Sequence, residues 1–142
     1  MKCWLIDTGP LVAYLDARDP AHESVAVCLD SYSGQLATTS AVITETMHFV
    51  ADDPRGPRLL AEFITASGAQ VYDFSQAPAL RTAATLMEQY ADTPMDYADA
   101  TLVLLAGQLG VRIILTLDRR GFSTYRTHRQ QAFEQVLNAM KS

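Results

Sequence analysis

Short apolar runs alternate with longer amphipathic segments almost from end to end, and this alternation restricts the fold more than any other feature of the chain. Cys3-Trp4-Leu5-Ile6 stops at Asp7 and gives way to Thr8-Gly9-Pro10, the pattern of a buried strand, a turn, and a short helix over 11–15 with proline in its first turn. A helix over 22–29, a strand over 36–39 and a helix over 41–51 follow. Pro54 and Pro57 bracket the start of a further helix, which stops at Ser67-Gly68. Residues 69–74 alternate as a strand and 78–90 form an amphipathic helix. Thr93-Pro94-Met95-Asp96 then opens a helix that lasts to Gly107 or Gly110, with Thr93 as its cap. Residues 112–117 carry the β-rich run Ile113-Ile114-Leu115; an edge strand over 124–126 and a helix over 133–140 complete the order. Strands separated by helices of ten or more residues require right-handed crossovers. The expectation is a single α/β domain over 1–142, its mostly parallel central sheet of four to five strands flanked by helices. In such sheets ligands bind beyond the carboxyl ends of the strands, so the chemistry is sought there.

Composition narrows the functional classes. With 142 residues, 49% of them hydrophobic, the chain can bury a core without metals or disulfides. Its longest stretch free of Asp, Glu, Lys and Arg, Ser31 to Thr44, is half polar and shorter than the roughly 18 apolar residues of a membrane span. Asp7, Gly9 and Pro10 interrupt the apolar start, which leaves no signal-peptide core. A cytoplasmic protein without a membrane partner is expected. Cys3 and Cys28 sit among apolar neighbours, as reduced buried thiols do. The net charge of -5 has the wrong sign for generic nucleic-acid attraction, yet five of the eleven basic residues (Arg112, Arg119, Arg120, Arg126 and Arg129) fall within 18 positions. Lysine occurs only at Lys2 and Lys141.

Asp7 and Asp118 follow the two clearest strand runs, and a parallel sheet brings both to one edge although they are 111 positions apart. Apolar strands do not need a carboxylate there. Glu45 lies near the start of the helix after the second strand, among Val42, Ile43 and Met47, while Asp96 and Asp99 share a face at the start of another helix. Five carboxylates at one pole repel one another and need a cation when ionised together. Oxygen-only ligands favour Mg²⁺ or Mn²⁺, and no Cys/His spacing points to zinc.

Four segments together resemble the PIN domain, in its subgroup of toxin ribonucleases from toxin–antitoxin pairs. They are the strand ending in Asp7-Thr8-Gly9-Pro10-Leu11, Ile43-Thr44-Glu45, Asp99-Ala100-Thr101-Leu102-Val103, and Leu115-Thr116-Leu117-Asp118 followed by Arg119, Arg120 and Phe122. The resemblance covers Met1 to about Arg126. It implies a metal-dependent endoribonuclease with an acidic quartet on Asp7, Glu45, Asp99 and Asp118, leaving 5′-phosphate and 3′-hydroxyl ends. Asp7, Asp99 and Asp118 would contact the metal, Glu45 would be a ligand or orient water, and Asp96 would assist. It also implies a homodimer and an antitoxin partner. Gly121 departs from the pattern, because relatives often carry an acidic or polar residue there.

Each residue has a plainer reading. Asp7 could form an Asx turn, Asp118 could end a strand, and Glu45 could be a first-turn acid favoured by the helix dipole. Asp96 could serve only the helix start, whereas Asp99, further in, is not explained by capping. Thr8 is a donor beside the site or merely shapes the turn. Arg119 and Arg120 are RNA-phosphate contacts at the rim or a solvated face. Leu59, Leu60, Phe63 and Ile64 are either partner surface or core. His22, in a loop after Pro20, and His48 and His128 are structural or solvated. Phospho-receiver and haloacid-type phosphatase readings need a lysine after a later strand, and none exists between Lys2 and Lys141. Neither G-x-x-x-x-G-K-[ST] nor G-x-G-x-x-G follows the first strand. The remaining competitor is a non-catalytic PIN-like module that binds RNA or protein, whose mark would be loss of a quartet acid.

Overall fold

The computed structural model describes residues 2–137. The chain runs β1 (Cys3–Ile6), α1 (Thr8–Leu15), α2 (His22–Asp30), β2 (Gln35–Thr39), α3 (Ser40–Val50), α4 (Gly56–Ser67), β3 (Gln70–Tyr72), α5 (Ala77–Gln89), α6 (Tyr97–Leu109), β4 (Ile113–Leu115), α7 (Arg119–Thr124) and β5 (Glu134–Gln135). Its five strands form one sheet in the order β3-β2-β1-β4-β5, and every pairing is parallel. Leu5 and Ile6 point to opposite faces of β1 and both are fully buried, as are Ile114 and Leu115 of β4, so the centre of the sheet is covered on both sides. Helices α1 to α4 pack on one another, while α5 packs on α6 and α6 on β2. Among the described residues, no helix is long and apolar enough to cross a membrane.

The chain leaves β1 towards β2 and β3, then crosses back to add β4 and β5 on the other side. The direction of winding therefore reverses between β1 and β4, where such sheets open a crevice at their carboxyl end. Ile6 pairs with Leu115, and the Asp7 N–H donates to the Leu115 carbonyl at 3.0 Å. Residues following β1 and β4 are thus fixed side by side.

Two expectations change at the C-terminal end. The segment over 124–126 is not a strand: α7 occupies Arg119–Thr124, and Arg126 makes a single antiparallel bridge to Ala132. Capping at both ends explains so short a helix. The Asp118 side chain accepts from Gly121 N–H at 3.0 Å, and the Arg126 guanidinium covers the carbonyls of Ser123, Thr124 and Tyr125 at 2.9–3.0 Å. The edge strand lies instead at Glu134–Gln135, inside the segment expected to be helical over 133–140, because Glu134 N–H completes the ladder to Arg112 C=O at 2.8 Å. Residues 138–140 of that expected helix lie outside the described residues. His22 opens α2, as the helix over 22–29 requires and the loop after Pro20 does not, and its ring donates from Nδ1 to Ala13 C=O at 2.7 Å.

Gly56 opens α4 directly beneath the end of α3, and a Cβ added there would overlap the Val50 carbonyl oxygen. A side chain can rotate away from such a clash, but this backbone cannot. Gly56→Ala is therefore expected to destabilise the protein by about 3 kcal/mol, the upper range of overpacking costs, measured as a shift of the urea unfolding midpoint at unchanged slope.

Candidate active site

Asp7, Thr8, Glu45, Asp96, Asp99 and Asp118 line a single cleft of about 580 Å³ at the carboxyl edge of the sheet. The five carboxylates come from the end of β1, the middle of α3, the first turn of α6 with its cap, and the turn after β4. Asp7 is the most enclosed, with 7% of its surface exposed. One of its oxygens caps α1 by accepting from Thr8 N–H at 2.8 Å, and the other accepts from the Thr116 hydroxyl at 2.8 Å. Thr116 in turn accepts from Asp118 N–H at 3.0 Å, so one hydroxyl sets the separation of the acids after β1 and β4.

Asp96 and Asp99 are tied to each other. Asp96, not Thr93, is the cap of α6: its side chain accepts from Asp99 N–H at 2.8 Å while the Asp99 carboxylate accepts from Asp96 N–H at 3.1 Å. The capping box begins three residues later than Thr93-Pro94 indicated, and Asp99, expected to lie beyond capping, is its second half. Glu45 is the sixth residue of α3, past its first turn, which removes the helix-dipole explanation. Thr8 Oγ1 is buried and makes no hydrogen bond of ordinary geometry among the described residues, although it stands close enough to the Glu45 carboxylate to favour its ionised form.

Burial dominates the electrostatics. It pushes the Asp7 carboxyl up to about 6, against the pull of its two hydrogen bonds, and the charges of Asp96 and Glu45 add to the rise. Asp99 is raised by burial and then by the charges of Asp96 and Asp7; Glu45 is raised by burial and by Asp96. Below them Tyr125, buried and bonded to Pro94 C=O at 2.7 Å, is raised by burial and by the same carboxylates, so it stays a neutral phenol.

A donor set of carboxylate oxygens fits a hard divalent cation. As the side chains stand, no three acidic, histidine or cysteine groups among the described residues are arranged to hold one. Asp96, Asp99 and Asp118 each spend oxygens on backbone N–H groups instead. Arg119 and Arg120 stand exposed at the first two positions of α7, next to Asp118 but not in the lining of the cleft.

Asp19, Thr116, Phe49 and Leu117 are neighbours of the site that strand and helix patterning did not single out. Asp19 lines the cleft from an Asx turn, its carboxylate accepting from Ala21 N–H at 2.9 Å, and nothing in its Asp-Pro setting marks it as different from any turn. Thr116 carried a signal, a hydroxyl two residues before a strand-end acid.

The raised carboxyls give the pH dependence of the metal-free protein its sign. Asp7 ionises near 3.8 when unfolded and near 6 when folded, so the stability contributed by its neutral form is complete below about pH 4 and is lost as the pH rises through 6. Asp99 extends the decline upwards. For Asp7 the loss reaches about 3 kcal/mol. Asp7→Asn forfeits one hydrogen bond to Thr116, about 1 kcal/mol, but removes that loss. Thermal unfolding in chelator is expected to find Asp7→Asn more stable than the parent by about 2 kcal/mol at pH 8 and no more stable at pH 4.

No protein-family model matches the chain. It is 37% identical over 123 residues to Ribonuclease VapC26 of Mycobacterium tuberculosis (strain ATCC 25618 / H37Rv), an alignment covering 86% of this chain and 91% of that relative. The fold matches the crystal structure of Mycobacterium tuberculosis VapC20, a sarcin-ricin loop cleaving toxin, with a TM-score of 0.74 at 18% identity over 83% of this chain and 91% of that one. It also matches the structure of VapBC2 from Rickettsia felis bound to a DNA fragment from their promoter, with a TM-score of 0.64 at 12% identity over 94% and 98%. By its identity to VapC26 along most of both chains, and with the fold of VapC20 beside it, the protein belongs to the VapC family of PIN-domain toxins of type II toxin–antitoxin systems.

Proposed function

We propose that the protein is a divalent-metal-dependent endoribonuclease, the toxin of a toxin–antitoxin pair, hydrolysing RNA phosphodiester bonds in the carboxylate cleft. The observation that carries this reading is the meeting of Asp7, Glu45, Asp96, Asp99 and Asp118 in one cleft where the sheet reverses its winding. A module that only binds RNA or protein gains nothing from five carboxylates gathered in one cleft, with Asp7, Glu45 and Asp99 raised by burial and by neighbouring charge. The ribonuclease VapC26 and the RNA-cleaving VapC20 support the substrate class, and the VapBC2 assembly supports a protein antitoxin.

Asp7, Asp99, Asp118 and Glu45 would hold Mg²⁺ or Mn²⁺, with Asp96 assisting. When bound, the ion makes the attacking water more acidic and neutralises charge growing on the phosphate. Asp7 arrives with its orientation set by Thr8 N–H and the Thr116 hydroxyl. Glu45, held beside the Thr8 hydroxyl and raised by burial, takes up the proton of the attacking water. Arg119 and Arg120 draw the phosphate chain towards an otherwise acidic pole. No side chain attacks phosphorus, and the ends released are a 5′-phosphate and a 3′-hydroxyl. The reading places the protein in the cytoplasm with its RNA. A homodimer is part of the proposal: Leu60 belongs to the core at 1% exposure, but Leu59, Phe63 and Ile64 remain half-buried on α4, apolar surface for a second copy.

Asp7→Asn is expected to abolish cleavage of RNA in Mg²⁺ and in Mn²⁺ with an unchanged circular dichroism spectrum, and chelator is expected to do the same to the parent protein. Wild-type turnover by the variant would refute the site. Replacing both Arg119 and Arg120 with alanine is expected to weaken RNA binding and to flatten the dependence of log K on log salt by roughly 1.4, two counterions at about 0.7 each on single strands, leaving metal affinity unchanged.

A further inference from the structure

Five large hydrophobic side chains stand exposed among the described residues, and two of them, Phe49 at 53% and Leu117 at 39%, line the cleft that gathers the carboxylates. Each is attached to a site residue. Phe49 follows Glu45 by four positions on α3 and so projects from the same face, one helical turn on. Leu117 lies between Thr116 and Asp118, and its side chain stands over Gly9 so closely that a Cβ added there would sit 3.3 Å from it. The His48 ring meets Phe49 edge-on, centroids 5.7 Å apart at 66°, which braces the ring from the side. Phe49 and Val12 also line a second depression of about 320 Å³ beside the cleft.

The cleft thus sets carboxylates beside an apolar rim that water solvates poorly. A ligand matching both must present an anionic group and a flat apolar face within one helical turn of each other. A nucleotide does so: its phosphate belongs with the cation-loaded carboxylates, and its unstacked base offers a π face to Phe49.

We propose that Phe49, with Leu117 beside it, holds a nucleobase of the RNA at the lip of the cleft and thereby sets which phosphate lies over the carboxylates. The proposal rests on the nuclease reading and adds to it a base-holding subsite. Stacking on an aromatic side chain tolerates any base but requires one that is free of its neighbours.

The test compares two fluorescent oligomers of equal length, an oligoadenylate and a base-free ribose-phosphate chain, binding to protein that carries Asp7→Asn so that neither is consumed. Adding Phe49→Ala is expected to weaken oligoadenylate binding by about tenfold and to leave the base-free oligomer within twofold. Phe49→Trp should retain the preference for the base-bearing chain. The salt slope should stay the same for all three, since no phosphate contact changes. Equal loss on both oligomers would make Phe49 a structural residue and overturn the proposal. Unchanged binding of both would also overturn it, leaving the ring as an anchor for a protein partner. If the Asp7→Asn protein with Phe49 intact binds neither oligomer, the nuclease reading itself fails and the subsite falls with it.

Discussion

The carboxylate of Asp7 stands where water is nearly absent, at the end of the central strand of a sheet covered on both faces. Two hydrogen bonds favour its charge, yet burial outweighs them and holds its pKa near 6. A structure selected for stability alone would place an asparagine or a threonine there. The shift costs the metal-free protein about 3 kcal/mol at neutral pH and above, a large fraction of a typical domain's 5–15 kcal/mol. A cleft that gathers buried carboxylates gives up stability at its own position, the usual exchange of stability for function.

What limits the strain is a set of buried threonines at the strand ends. Thr38 donates to Ile6 C=O at 2.7 Å, joining β2 to β1, and Thr116 joins the turn after β4 to Asp7. Thr101 donates to Ala98 C=O within α6, so the 2.7 Å contact between its hydroxyl and that of Thr39 is one in which Thr39 donates; Thr39 also accepts from Val42 N–H at the start of α3. Threonine suits these places for two reasons. Its β-branch fits the pleated backbone, and its hydroxyl satisfies polar groups that the sheet ladder no longer pairs once the strands stop. Three strands and two helices that carry site acids are thereby held in register by side chains that never enter the reaction.

The sheet and the placement of Asp7 and Asp118 were legible in the sequence because they follow from short-range patterns: an apolar run of strand length, a long crossover, and an acid where the run stops. The register of α6 was not. Thr93-Pro94 and Asp96-Tyr97-Ala98-Asp99 both match a helix start, and only packing decides between them, with Tyr125 fixing Pro94 C=O and Tyr97 donating to Phe74 C=O at 2.8 Å. A six-residue helix capped by Asp118 and Arg126, and a strand of two residues, lie below the length at which periodicity carries information. Glu45 was expected at the site and lines the cleft, but its depth in α3 depended on where the helix starts. Asp19 reaches the cleft only through the folding of α1 to α4 on one another, which no local pattern encodes, whereas Phe49 follows Glu45 at i+4 on α3.

The capping roles of Asp96, Asp99 and Asp118 bear on how five carboxylates can share one cleft. An acid at a helix start contributes about 1 kcal/mol by accepting from exposed N–H groups, and besides Asp7, which caps α1, three more of the five carboxylates are held in this way. These caps offset part of the cost of gathering the acids in one cleft. Gly121 belongs to the same balance. A Cβ at that position would overlap the Asp118 carboxylate as it lies over the first turn of α7, so glycine is the residue that permits this cap. A larger residue there would displace the Asp118 carboxylate from Gly121 N–H and leave the start of α7 without its cap.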